Sequence, residues 1–185
     1  MSIGEGDYGD LYKQLVIDRS LALSDFFETN RQLLLSKSED VRETAFSKLV
    51  ELISLFPDDF LSKEQVGLVL DFLLGNLESS VLTASYSIQG IHHLVIRSKN
   101  LPQSFELPLI QIMFRDGNVQ GWDLEKRILQ YSIMEWLLLH RLKELSALGS
   151  DFIPIFISAV GGERHPRCLP QVFRMFVMVA RSFPL

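Results

Sequence analysis

The sequence predicts an all-α fold, a solenoid of about four helix pairs, and three observations carry that prediction. Apolar residues recur at spacings of three and four almost everywhere after residue 20, the period of a helix with one buried face. No six-residue stretch alternates cleanly between apolar and polar, as a half-buried strand would require. Short clusters of Ser, Gly, Asp and Glu interrupt the apolar pattern at a regular interval, so the helices group in twos.

The elements follow in order. A first helix is expected at about 20–36. A second runs from about Asp40 to Phe56, with Val41, Ala45, Leu49, Leu52, Ile53 and Phe56 on one stripe and Arg42, Glu43, Lys48 and Glu51 opposite. Pro57 ends it, because its ring leaves no amide to continue the ladder. The third starts at Ser62, whose hydroxyl can cap open amides while Glu64 and Gln65 occupy the first turn. It carries Val66, Leu70, Phe72, Leu73 and Leu77, and Gly75 with Asn76 weakens its last turn. Further helices are expected at about 79–98, 103–116, 122–142, 150–160 and 168–183. The turns inside pairs fall at Ser36 to Asp40, Glu78 to Ser80, Asp116 to Asp123 and Gly161 to Arg167.

Val41, Val81, Leu124 and Leu169 open the second helix of each pair, with separations of 40, 43 and 45 residues. A period of that size with two helices per unit is the mark of HEAT repeats. The expected organisation is a flexible or partly helical segment at 1–19, then a HEAT-like domain at 20–185 with repeats at about 20–56, 62–98, 103–142 and 143–183. In the first repeat, Ser38-Glu39-Asp40-Val41-Arg42 precedes Ala45 and Leu49. Asp40 is expected to accept bonds from open helix amides, and Val41 to enter the core. Arg42 is expected to reach a carboxylate or carbonyl of a neighbouring repeat, and Ala45 to let two helices approach.

Composition narrows the function. The chain has 185 residues, 47% hydrophobic and 22% charged, which is a globular balance. One cysteine, Cys168, cannot form an internal disulfide or hold an iron-sulfur cluster unaided. The start is acidic and glycine-rich where a secretion signal needs basic then apolar residues. The apolar runs near 152–160 and 173–180 are broken by Pro154, Ser158 and Arg174 and fall short of the ~20 residues of a membrane span. A net charge of −5 makes the whole chain repel a phosphate backbone.

Candidate chemistry is sparse, and no catalytic, cofactor-binding or metal-ligating residue is assigned. The densest polar cluster is Gly162-Glu163-Arg164-His165-Pro166-Arg167-Cys168. His165 and Cys168 stand three apart beside Glu163, as metal ligands can. An inter-repeat turn with a positive rim is preferred, because Pro166 intervenes and no second ligand pair exists. Adjacent His92 and His93 point about 100° apart on a helix, so one is expected in the core and one on the rim. His140 suits a helix C-terminus, and Asp58 with Asp59 suits a solvated turn. No Gly-x-Ser-x-Gly turn, phosphate loop or His-Glu-x-x-His motif occurs.

Weak basic pairs, Arg97 with Lys99, Lys126 with Arg127, Arg141 with Lys143 and Arg164 with Arg167, could line one edge and meet phosphates. Interleaved Glu125, Glu135, Glu144 and Glu163 favour a solvated or inter-repeat role instead. The heavy load of Phe, with Trp136, falls mostly on apolar stripes and reads as packing. Residues 173–179 are apolar nearly all round, which suits a helix covered on both sides and a stack that continues beyond it. The chain is therefore expected to be the amino-terminal piece of a longer protein or a truncated form.

The segment Leu148-Gly149-Ser150-Asp151-Phe152, then Phe156-Ile157, then Gly162-Glu163-Arg164-His165-Pro166-Arg167-Cys168-Leu169 and Phe173 resembles the amino-terminal domain of the Mms nineteen (Met eighteen) family. The Val41-Arg42 repeat and Pro57-Asp58-Asp59-Phe60-Leu61 with Glu64 and Val66 match it in the same order, so the resemblance covers about residues 20–183. It implies a non-enzymatic scaffold of the cytosolic iron-sulfur targeting complex, without a cofactor of its own. Its partners would be a WD40 propeller, a small cysteine-bearing assembly subunit and apo-enzymes of DNA replication, repair and transcription such as helicases and polymerases. It also implies a link to nucleotide-excision repair and residence in cytoplasm and nucleus, while the net charge and the short apolar runs lead to the expectation of no direct contact with nucleic acid or membrane. The alternatives are a generic HEAT module of another complex, in trafficking or kinase scaffolding, and a HEAT-like nucleic-acid enzyme.

Overall fold

The computed structural model describes residues 8–19, 22–77, 81–98, 101–116, 119–147 and 151–183, and all regular structure among them is helical. The Glu78 to Ser80 turn, Lys99, and the Leu148 to Ser150 part of the motif lie outside the described residues. The chain divides into two compact units, Met1–Asn100 and Leu101–Leu185.

In the first unit a short helix α1 (Tyr8–Tyr12) runs into a π-helical turn at Lys13–Ile17. Then come α2 (Leu23–Leu34), α3 (Glu39–Leu55), α4 (Lys63–Gly75) and α5 (Val81–Arg97). Helix α2 packs on α3 and α4 on α5, and the two second helices, α3 and α5, lie against each other. This is the layering of an α-solenoid, in which each pair buries its apolar face against the next. Phe46, Leu49, Ile53, Leu70, Leu73, Ile88 and Ile91 are fully buried between the layers.

Local chemistry explains the boundaries. Ser62 opens α4 with a complete capping box: its hydroxyl accepts from the Gln65 N–H at 3.3 Å, and its own N–H donates to Gln65 Oε1 at 2.9 Å. Asn76 closes α4 by donating from its side chain to the Phe72 carbonyl at 2.7 Å. Gly90 of α5 is a contact point: a Cβ there would stand 2.8 Å from Leu73 Cδ1 and 3.3 Å from Val50 Cγ2.

Three expectations for the first repeat are corrected. Helix α3 begins at Glu39 with Ser38 as its cap residue, so Asp40 sits in the first turn and is not the cap. Val41 is 40% exposed. Phe46 and Val50 join Ala45, Leu49, Leu52 and Ile53 in the buried arc, which places Val41 roughly 100° from the arc's centre at about 100° per residue. Arg42 reaches a carbonyl, but that of Ser36 in its own turn, at 2.7 Å. Ala45 is buried as expected.

The second unit begins with a 3-10 turn at Gln103–Phe105, followed by α6 (Glu106–Ile110), which widens into a π-helical stretch at Gln111–Asp116. After α7 (Leu124–His140) come α8 (Leu142–Ser146), α9 (Phe152–Val160) and α10 (Leu169–Ser182). The π stretch packs on α9, and α7 on α10. Asp123 caps α7 by accepting from the Lys126 N–H at 3.0 Å. At Arg141 the backbone turns to φ −130°, ψ 36°, which splits the helix expected at 122–142 from α8. Pro154 sits in the first turn of α9 and Pro170 in that of α10, where a missing N–H costs nothing.

Helix α10 is not covered on both sides. Phe173 is 62% exposed, and Phe176 and Val177 are also exposed, while Val172, Met175 and Val179 face the core.

Candidate functional site

The dense polar turn between α9 and α10 is built around one carboxylate. Gly161 follows α9 where a Cβ would stand 2.6 Å from the Ile157 carbonyl oxygen, and the Glu163 N–H closes the turn by donating to the Val160 carbonyl at 3.1 Å. The Glu163 side chain has 0% exposure and meets donors on every side. Arg127 Nη1 lies 3.1 and 3.2 Å from its two oxygens, and the Tyr131 hydroxyl donates at 3.0 Å. The turn's own N–H groups of Arg164 and His165 donate at 2.9 and 2.7 Å. Arg127 and Tyr131 stand four apart on α7, so one face of that helix presents both donors to the turn. Burial pushes the Glu163 acid up, but the His165 N–H, Tyr131, the Arg164 N–H and Arg127 together hold it below the ordinary carboxylate range. The same anion, after burial itself, raises the hydroxyl of Tyr131 and the thiol of Cys168.

The three residues weighed as metal ligands are therefore drawn into this turn. His165 Nδ1 accepts from the Arg167 N–H at 3.2 Å, and the His165 carbonyl accepts from the Cys168 and Leu169 N–H groups at 2.9 and 3.1 Å. Cys168 is fully buried.

Four of the eight basic residues flagged as a possible phosphate edge, Arg97, Arg127, Arg141 and Arg167, meet carboxylates about one repeat away in sequence. Arg97 contacts Asp58 at 2.7 and 2.8 Å across 39 residues. Arg167 contacts Glu125 at 2.9 Å across 42 residues, and Arg127 contacts Glu163 across 36. Arg174, not among the flagged pairs, grips Glu135 at 2.7 and 3.1 Å across 39 residues, with Gln171 donating to the same carboxylate at 3.2 Å. Arg141 Nε lies 2.6 Å from Glu106, and its guanidinium stacks 5.0 Å from the Trp136 ring. Lys126 pairs locally with Asp123 at 3.2 Å.

Asp58 is thus an ion-pair partner rather than only a solvated turn residue, and Asp59 holds a left-handed backbone with φ 61°. His92 and His93 are both half-buried, not split between core and rim, and burial lowers both. For His93 the nearby Arg97 adds to that shift. His140 ends α7 and packs on Trp136 with ring centroids 4.8 Å apart.

Sequence reading missed the Glu163, Arg127 and Tyr131 network. The available signal was the spacing of 36 residues between an acidic turn residue and an arginine, close to the helix-pair period.

Comparison with known proteins places this arrangement. The family model described as Dos2-interacting transcription regulator of RNA-Pol-II, the MMS19 amino-terminal domain, matches residues 28–185. A zebrafish (Danio rerio) MMS19 nucleotide excision repair protein homolog is 30% identical over 117 residues, 62% of this chain and 11% of the relative. The Drosophila melanogaster MMS19 nucleotide excision repair protein is 26% identical over 152 residues, 82% of this chain and 16% of its own length. The human homolog is 30% identical over 126 residues, 68% of this chain. The chain spans only 11 to 16% of the length of these relatives. With a family model matched from residue 28 to residue 185, over helix pairs and through the Glu163 turn, the chain belongs to the MMS19 amino-terminal domain family.

Proposed function

We propose that the chain is a non-enzymatic adaptor in cytosolic iron-sulfur protein maturation. In this role it brings assembly machinery to apo-proteins of DNA replication, repair and transcription, in cytoplasm and nucleus. The iron-sulfur cluster is cargo of the partners and not a resident group of this chain. Membership of a family whose relatives are named nucleotide excision repair proteins supports the reading.

The observation that carries it is the use made of charge. Arg97, Arg127 and Arg167, which could have formed part of a phosphate-binding edge, are matched with carboxylates between neighbouring helix pairs. Such pairing fixes the layers and leaves surfaces that meet other proteins by shape, as helical repeat scaffolds do. The same pairing weighs against a nucleic-acid enzyme, which needs a continuous cationic groove.

The test is co-purification of the tagged full chain from cells. Recovery of a WD40 propeller subunit and iron-sulfur helicases is expected. Recovery of trafficking or kinase complexes in their place would favour the generic helical module.

A further inference from the structure

A cavity of about 650 Å³ opens in the first unit between the π-helical turn, α2 and α4. That lies within the ~300–1,000 Å³ range of ligand sites. Its walls are aromatic and backed by the core. Phe27 rests on Phe26 with centroids 5.8 Å apart, Phe72 stacks on Phe46 at 5.2 Å, and Phe60 packs on Phe56 at 4.9 Å. Phe27 also meets Phe72 edge-on at 6.4 Å, so the rings that line the cavity are held by aromatic neighbours. Leu68, 73% exposed, is the most exposed large apolar side chain among the described residues and stands at the edge. An open trough with an apolar lip suits a chain lying across it better than a small molecule enclosed whole.

The polar rim carries one charge of each sign, Arg19 and Glu28, and they are not equally engaged. Arg19 lines the cavity, has no ion-pair partner among the described residues, and is held at φ 50°, a left-handed backbone that is unfavourable for a non-glycine residue. Gln65 also lines it. The capping box takes its Oε1, so its amide N–H groups are the part left to donate. Glu28, on the rim too, already has Arg31 at 3.8 Å. A cation and an amide donor are what remain for an incoming group, and their complement is a carboxylate.

We infer that this trough is a docking site for an acidic peptide segment of a partner protein, one that lays Phe or Leu anchors against the wall of three Phe rings and sets an Asp or Glu against Arg19. The inference stands apart from the role in iron-sulfur maturation and does not depend on it.

The probe is a short fluorescein-labelled peptide with Phe, Leu and Phe at i, i+3 and i+7 and Asp or Glu elsewhere, titrated into the chain by anisotropy. A copy with Lys in place of the acids, and dodecanoate, are run beside it. Saturable binding of the acidic peptide is expected, at least tenfold tighter than the Lys copy. Arg19→Glu and Leu68→Asp, both at exposed positions, are each expected to weaken it at least tenfold without lowering the unfolding temperature. Absence of saturable binding, equal affinity for the two peptides, indifference to both substitutions, or preference for dodecanoate would overturn the inference.

Discussion

Glu163 shows how far a single residue can decide a fold locally. Its carboxylate is wholly buried against a guanidinium that is 17% exposed, so removing it strands a charge with little water to replace it. Glu163→Ala is therefore expected to destabilise the chain by on the order of 3 kcal/mol. Glu125→Ala breaks a pair whose side chains are 58% and 71% exposed, and is expected to cost under about 1 kcal/mol. Urea denaturation of the two variants checks both.

Acid should act at the same scale. The folded state holds Glu163, Glu135 and Asp123 below their ordinary range, so their contribution is complete above the unfolded carboxylate value and is lost as pH falls through the folded one. His92 and His93 are lowered as well, so protonation favours the unfolded chain once pH drops below the ordinary histidine range. Thermal unfolding followed by circular dichroism is expected to show a falling midpoint from pH 7 toward pH 5, from the histidines. A steeper loss should follow below pH 4.5, from the carboxylates.

At the scale of elements, capping and close packing set the helices. Ser62→Ala removes one half of a capping box and is expected to cost about 1 kcal/mol. Gly90→Val pushes a branched side chain into Leu73 and Val50 and is expected to cost on the order of 2 kcal/mol, seen as a lower urea midpoint at unchanged slope.

Periodicity made most of these helices legible. The Ser62 box was legible because three residue types at fixed spacing leave few other readings. The π stretch at Gln111–Asp116 was not, since one extra residue in a turn leaves the apolar pattern almost unchanged. Helix α1 was too short to show a period, and the break at Arg141 lacks the Gly or Pro that marks one. Val41 was misplaced because Phe46 widened the buried arc to one side.

At the scale of the molecule, the family was legible because the motif around the Glu163 turn is a fixed string of residues. The Arg19 trough was not, because Leu15, Phe27, Phe60 and Phe72 come from separate elements that only folding brings together. With Arg97, Arg127, Arg141, Arg167 and Arg174 matched by carboxylates and a net charge of −5, the chain is expected to bind duplex DNA no tighter than about 100 μM at physiological salt. Anisotropy against a labelled duplex measures this, and tight, salt-sensitive binding would revive the nucleic-acid reading.

The most direct measurement is cluster occupancy in an iron-sulfur DNA helicase purified from cells depleted of this protein and from cells in which it is restored. Occupancy that falls on depletion and recovers on restoration is expected of an adaptor for cluster delivery. Occupancy unchanged by depletion would contradict that role.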